Sequence, residues 1–141
     1  MMAVMGPPAE SLTLRERLPA TVASVGDARQ ALRRFVSDLE VDVDGIVLAV
    51  SEAVGNVVTH AYEDGADGVI ELSASASPYE VTVVVRDHGR GMDAARAVSR
   101  GAGYGIEIIR RLAQHVSVDD SGRGVSLTMR FRRGGAWSGV R

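Results

Sequence analysis

Hydrophobic and polar positions change their period several times along the chain, and each change marks an element. In residues 11–18, SLTLRERL, Leu12 and Leu14 alternate with Thr13, Arg15 and Arg17, which predicts a strand. From residue 24 to 39 the period lengthens. Ala28, Leu32, Phe35, Val36 and Leu39 fall at helical spacing, with Arg29, Arg33 and Arg34 on the wet side. A second helix is expected from about Asp42 to Tyr62, and the turn chemistry of EDGADG follows at 63–68. Alternation then returns, predicting strands at about 68–76 and 79–87 joined by a tight turn at Ser77-Pro78. Residues 88–103 are Gly-rich and irregular. A third helix is predicted over about 104–114, then strands at about 115–120 and 124–132 with a hairpin at Ser121-Gly122.

The order β-α-α-β-β-loop-α-β-β joins most strands by hairpins and lacks the strict alternation of a doubly wound fold. It predicts an α+β two-layer sandwich: a mainly antiparallel, mixed sheet with the helices on one face. One domain over 11–132 is expected. A loose leader at 1–10 precedes it, where Pro7-Pro8 block regular structure, and a frayed tail at 133–141 follows.

Composition narrows the function classes. Hydrophobic residues make up 45% and charged residues 24% of 141 residues, enough apolar material for one core and too much for wholesale disorder. The net charge of −2 gives no bulk electrostatic case for nucleic acid or an anionic membrane. No run approaches a transmembrane length. The opening Met1-Met2-Ala3-Val4-Met5-Gly6-Pro7-Pro8 lacks a charged region and a long apolar stretch, so no signal peptide is expected and a cytoplasmic location is. Cysteine is absent, which excludes disulfides and thiolate chemistry. All 16 basic residues are arginine. Without lysine, a Walker A site and Schiff-base chemistry are impossible. A bound phosphate must be held by backbone N–H groups, arginine or a metal.

The second helix carries the most informative pattern. Ile46, Val50, Ala53, Val57 and Ala61 line one face, and Glu52, Asn56 and His60 stand at i, i+4, i+8. Each step of four turns the helix about 40° past a full circle, so the three form a narrow polar row bordering the apolar face. A solvated helix edge is the bland alternative. Such an edge usually carries arginine or long charged pairs, whereas this row holds a carboxylate, a carboxamide and an imidazole in line. In the strand ending at Asp87, Val81, Val83 and Val85 share the core-facing parity and Asp87 continues it, so its carboxylate is expected to turn inward, where it needs a partner. The run Asp87-His88-Gly89-Arg90-Gly91 follows, and its glycines permit close approach of another molecule. Gly101-Ala102-Gly103-Tyr104-Gly105 then leads into a helix, an arrangement suited to an anion or to a plain flexible loop.

Together, Glu52-x-x-x-Asn56-x-x-x-His60-Ala61-Tyr62, Asp87-x-Gly89-x-Gly91 and Gly103-x-Gly105 before a helix resemble the Bergerat ATP-binding fold of gyrases, chaperones, histidine kinases and mismatch-repair proteins. The closer resemblance is to the small bacterial anti-sigma factor serine kinases, and it runs from about residue 11 to 132. It implies ATP and Mg²⁺ as cofactors. Asp87 would accept from the adenine amino group, Gly89 and Gly91 would let the backbone close over the base, and Asn56 would hold Mg²⁺. His60, inside the same site, would be a further nucleotide-binding residue. Gly103, Tyr104 and Gly105 would face the phosphates, and Glu52 would orient or deprotonate a serine hydroxyl on a protein substrate. Members often place an arginine near the γ-phosphate, and Arg100 is the candidate here. Their last strand commonly begins Gly-Thr; here it reads Gly124-Val125-Ser126, and Ser126 is the candidate for the hydroxyl.

The resemblance implies a protein kinase that sequesters a sigma factor and phosphorylates an anti-anti-sigma protein of the STAS type, acting as a homodimer and without direct nucleic acid contact. The alternative is a binding module that sequesters a partner without phosphorylation. Retention of Glu52 favours the enzyme, because nucleotide binding alone needs no such carboxylate. A histidine kinase is disfavoured, because no helical dimerisation segment with a phosphoacceptor histidine fits this length.

Overall fold

The computed structural model describes residues 12–61, 68–89, 104–120 and 123–134. The leader at 1–10, Tyr62, the EDGADG turn as far as Ala66-Asp67, the loop at 90–103, the Ser121-Gly122 hairpin and the tail from 135 lie outside them. The elements are β1 (Leu12–Pro19), α1 (Val22–Val36), α2 (Val43–His60), β2 (Val69–Ala76), β3 (Glu80–Asp87), α3 (Tyr104–Leu112), β4 (His115–Asp120) and β5 (Val125–Arg132).

The strands form one sheet in the order β1-β2-β3-β5-β4. Every pairing is antiparallel, so the expected α+β sandwich stands, and the sheet among the described residues is wholly antiparallel and not mixed. Alternation decides which face each residue takes. Ile70, Leu72, Ala74 and Ala76 of β2, Val81, Val83 and Val85 of β3, and Leu127, Met129 and Phe131 of β5 are buried. Their cross-strand partners match, with Leu72 opposite Val85 and Val85 opposite Leu127. The three helices cover this face. α2 lies between α1 and α3, and its Ile46, Ala49, Val50, Ala53, Val54 and Val57 are all buried. Burying a side chain such as Val or Ile contributes about 1.5–3 kcal/mol, so this one helix contributes much of the core. The other face of the sheet carries Arg15, Arg17, Glu71, Ser73, Arg86 and Ser126, a polar set with no helix over it among the described residues.

One boundary differs from the periodic pattern and another explains itself. α1 ends at Val36, although Leu39 continues the apolar spacing. Leu39 donates its N–H to Val36 O at 2.9 Å in a turn and still packs against the core from there. An apolar period records which side chains reach the core, not which residues stay helical. At the start of α2, Asp42 is the cap: its Oδ1 accepts from Gly45 N–H at 3.0 Å. Such a cap contributes about 1 kcal/mol. Gly45 leaves room for the capping carboxylate, which a Cβ at that position would push aside.

Candidate functional site

β3 ends on the covered face with a charge where the pattern calls for a valine. Asp87 is 3% exposed, continuing the parity of Val81, Val83 and Val85. No cation is paired with it among the described residues. Two backbone groups hold it instead: Gly89 N–H donates to Oδ1 at 2.9 Å and Val125 N–H donates to the same oxygen at 3.3 Å. Burial pushes its carboxyl above the ordinary value of 3.8. The two N–H donors and His88 pull the other way, and Asp120 adds a further upward push. Burial wins, so the chain keeps a carboxylate in a place that disfavours its charge. A costly group of this kind, set in a cleft, points to function.

Two glycines make the arrangement possible. A Cβ on Gly89 would collide with the carbonyl oxygen of Ala61 at the end of α2, so Gly89 lets the turn after β3 press onto that helix end. Gly124 has φ of 137°, and a Cβ there would collide with the carbonyl oxygen of Asp87. This close approach brings the next residue, Val125, within reach of the Asp87 carboxylate. The resemblance implies that Gly89 lets the backbone close over a base; in the structure Gly89 packs on Ala61, just past the end of α2. Gly124 enters the sequence pattern only as the residue before Val125-Ser126; its positive φ and its contact with the Asp87 carbonyl are not legible there, although a glycine at the start of a strand is a signal for an unusual backbone.

The space beside Asp87 is a slot lined mostly by aliphatic side chains. Ala53, Val57 and Ala61 come from α2, Val85 from β3, Ile106 from α3, and Val118, Val125 and Leu127 from β4 and β5. The polar groups that reach it are Asp87, Asn56 and His60. The polar row on α2 therefore does border the core, and two of its three members meet the strand-end aspartate. Asn56 Nδ2 is buried and has no hydrogen-bond partner among the described residues. An orphaned amide in a folded protein calls for an explanation, and a bound ligand is one. Glu52 stands one helical turn earlier, half-buried and outside the slot lining.

The remaining candidates divide. Tyr104 and Gly105 form the first turn of α3, as the glycine run predicted; Gly103, Gly91 and Arg100 lie outside the described residues. Ser126 is a correction. It pairs directly with Arg86, whose side chain is on the uncovered face, so Ser126 sits on the wrong side of the sheet to touch the slot. Val125, one residue earlier, has the right parity and lines the slot, with no hydroxyl to offer. Among the described residues no group of three or more His, Cys, Asp or Glu is placed to hold a metal. No described helix is long and apolar enough to cross a membrane.

Comparison with known proteins agrees with this geometry. Residues 18–131 match the histidine kinase-like ATPase domain family. An anti-sigma F factor from Clostridium botulinum is 39% identical over 69 residues, which cover 47% of this chain and 48% of that protein. The chain thus spans about half the length of that relative. An anti-sigma F factor from Clostridium beijerinckii is 29% identical over 117 residues, covering 73% of this chain and 82% of that one. Among solved structures, the RsbU and RsbW domains of a Mycobacterium tuberculosis protein share the fold, with a TM-score of 0.67 and 24% identity over 86% of this chain and 33% of that one. The blue-light activated histidine kinase EL346 of Erythrobacter litoralis aligns with a TM-score of 0.57 at 26% identity, over 82% of this chain and 42% of that one. A buried strand-end carboxylate facing a polar helix row, in a chain that matches this profile across nearly its whole folded length, has one consistent reading: the chain belongs to the histidine kinase-like ATPase domain family.

Proposed function

We propose that the protein is an ATP-dependent serine kinase and anti-sigma factor, which sequesters a sigma factor and phosphorylates a STAS-type antagonist. The observation that carries the reading is the division of labour along α2. Asn56 and His60 reach the slot beside Asp87, while Glu52 stands one turn away and outside it. A slot that only held a nucleotide would not need a carboxylate at that place.

The residues suit the cofactors. Asp87 offers a buried acceptor for an exocyclic amine, set among aliphatic side chains of the kind that would pack on a purine. Asn56 carries an amide whose nitrogen is unsatisfied, and its oxygen is a ligand of the type a hard cation prefers. Mg²⁺ keeps several waters and is commonly held by few protein groups plus substrate phosphates, so a single carboxamide is a sufficient protein contribution. When bound, ATP·Mg²⁺ supplies the phosphoryl group and neutralises charge on it. The chain's part is positioning: Asp87 fixes the base, Asn56 the metal, and Glu52 orients the serine hydroxyl or takes its proton. The relatives' names support a sigma factor as partner. A homodimer acting in the cytoplasm, without contact to nucleic acid, completes the reading.

One observation favours the sequestering module instead. Val125 stands where a hydroxyl would help hold the base, so nucleotide binding has one polar anchor fewer. Incubation with labelled ATP·Mg²⁺ and candidate antagonist proteins decides between the two. Label on a serine of an antagonist supports the kinase; retention of partner binding with no label on any antagonist supports the module.

A further inference from the structure

On the uncovered face, directly behind the slot, one carboxylate oxygen collects three strands. Glu71 of β2 lies opposite Arg17 of β1 and opposite Arg86 of β3. Its Oε2 accepts from Arg17 Nη1 at 3.0 Å, and His88 Nε2 lies 3.3 Å from the same oxygen. His88 sits between the two residues that shape the site, Asp87 and Gly89. Its own backbone is pinned as well: a Cβ on Gly124 would press on His88 Cα as it does on the Asp87 carbonyl. The turn 87–89 is therefore held on the slot side by the Asp87 carboxylate and on the other side through the His88 ring.

We infer that Glu71 is a positioning residue for the slot, acting through His88 to hold the Asp87–Gly89 turn against the end of α2. This rests on the reading of the slot as a nucleotide site only for its ligand, not for its geometry. The alternative is an ordinary surface ion pair, since the Glu71 and His88 side chains are 36% and 44% exposed. Such a pair contributes little to global stability. Its place matters more than its strength. His88 is the residue that joins the buried carboxylate to the glycine donating to it, so a shift of its ring is passed to both. Arg17 shares the oxygen but not the turn, so it serves as the internal control.

The test uses the full chain and two readouts. Amide exchange in the ligand-free protein is followed at Gly89 and Val125, whose N–H groups donate to Asp87. Titration with ADP gives affinity. Glu71→Ala and His88→Ala are each expected to speed exchange at Gly89, and to weaken ADP, by about two- to fivefold, the range of a single exposed pair. The double variant should be no worse than His88→Ala alone, because Glu71 acts on the turn only through His88. Glu71→Gln, which keeps an oxygen acceptor, should recover part of the loss. Arg17→Ala should leave both readouts within about twofold of the wild type, a change below the resolution of such a pair. Additive losses, or unchanged exchange at Gly89 in Glu71→Ala, would overturn the inference. A wild type that binds no ADP would defeat the nucleotide reading, while the exchange data would still decide the role of Glu71.

Discussion

Asp87 pairs with Ile70 and Glu71 pairs with Arg86, so these two carboxylates stand one rung apart on the same pair of strands. They point to opposite faces and live in opposite ways. Glu71 is half-exposed among Arg17, Arg86 and His88, the setting in which a charge is at little cost. Asp87 is buried beneath helices, held by two N–H groups, with its charge disfavoured by burial. A fold choosing only for stability would place a valine at position 87. The covered face thus gives up stability for an acceptor inside a slot, and the open face does not; that asymmetry sets the candidate site on the covered face.

The largest test of the asymmetry is kinetic. Glu52→Gln preserves size and helix propensity, so fold and nucleotide binding should persist. Phosphoryl transfer should fall by roughly two to four orders of magnitude if general-base work is the main role of Glu52. A fully active variant in a labelled-ATP assay would remove Glu52 from the chemistry. Next in size is Asp87→Asn. Loss of a charge-assisted hydrogen bond to the base should weaken ADP by about 10- to 100-fold, which calorimetric titration would read. Stability should move the other way. The folded carboxyl lies above 3.8, so its contribution is fully present below that pH and is lost as pH rises through the raised value. The asparagine variant should therefore melt higher than the wild type at neutral pH, and the two should converge in acid. A variant that melts lower at pH 7 would mean that the two N–H bonds outweigh burial.

Much of this was legible beforehand, for definite reasons. Strand parity put Asp87 inward because Val81, Val83 and Val85 fix the face, and helical geometry put Asn56 and His60 on the rim. These are short-range consequences of period. Parity along Val125, Leu127, Met129 and Phe131 likewise puts Ser126 on the open face and Val125 in the slot; what parity could not supply was the partner across the sheet, Arg86. The Gly124–Asp87 contact was hidden for a similar reason: it joins residues far apart in sequence, and no local pattern reports a long-range backbone collision. Glu71 was invisible because an alternating polar residue on an open face looks like any other. The helix boundary at Val36 was missed because Leu39 packs without being helical.

The glycines carry the comparison to smaller effects. Gly124→Ala forces a side chain into a left-handed backbone against the Asp87 carbonyl, and should cost about 1–3 kcal/mol of stability. Gly55 offers the contrast. It lies inside α2 with nothing within 4 Å of where its Cβ would sit, so Gly55→Ala should stabilise by about 0.5–1 kcal/mol. Denaturant melts of the two variants should shift in opposite directions. Equal losses would mean that Gly55 also stands in a close contact.

The smallest expected effect is also the strictest check on which face is which. Ser126 shares its rung with Arg86 on the open side, so Ser126→Ala should change stability by no more than about 0.5 kcal/mol, as surface substitutions do. ADP affinity should be unmoved. Val125→Thr should change affinity instead, because position 125 lines the slot and its N–H already bonds Asp87. A hydroxyl there adds a polar group beside the base at the cost of little volume. The two substitutions are neighbours on one strand, and only parity separates them. A slip of one residue in the β3–β5 register would exchange their faces. In that case Ser126→Ala would weaken ADP and Val125→Thr would be silent. Val83–Met129 and Val85–Leu127 would then no longer stack on the covered face, and the core beneath the helices would lose the alternation on which it is built.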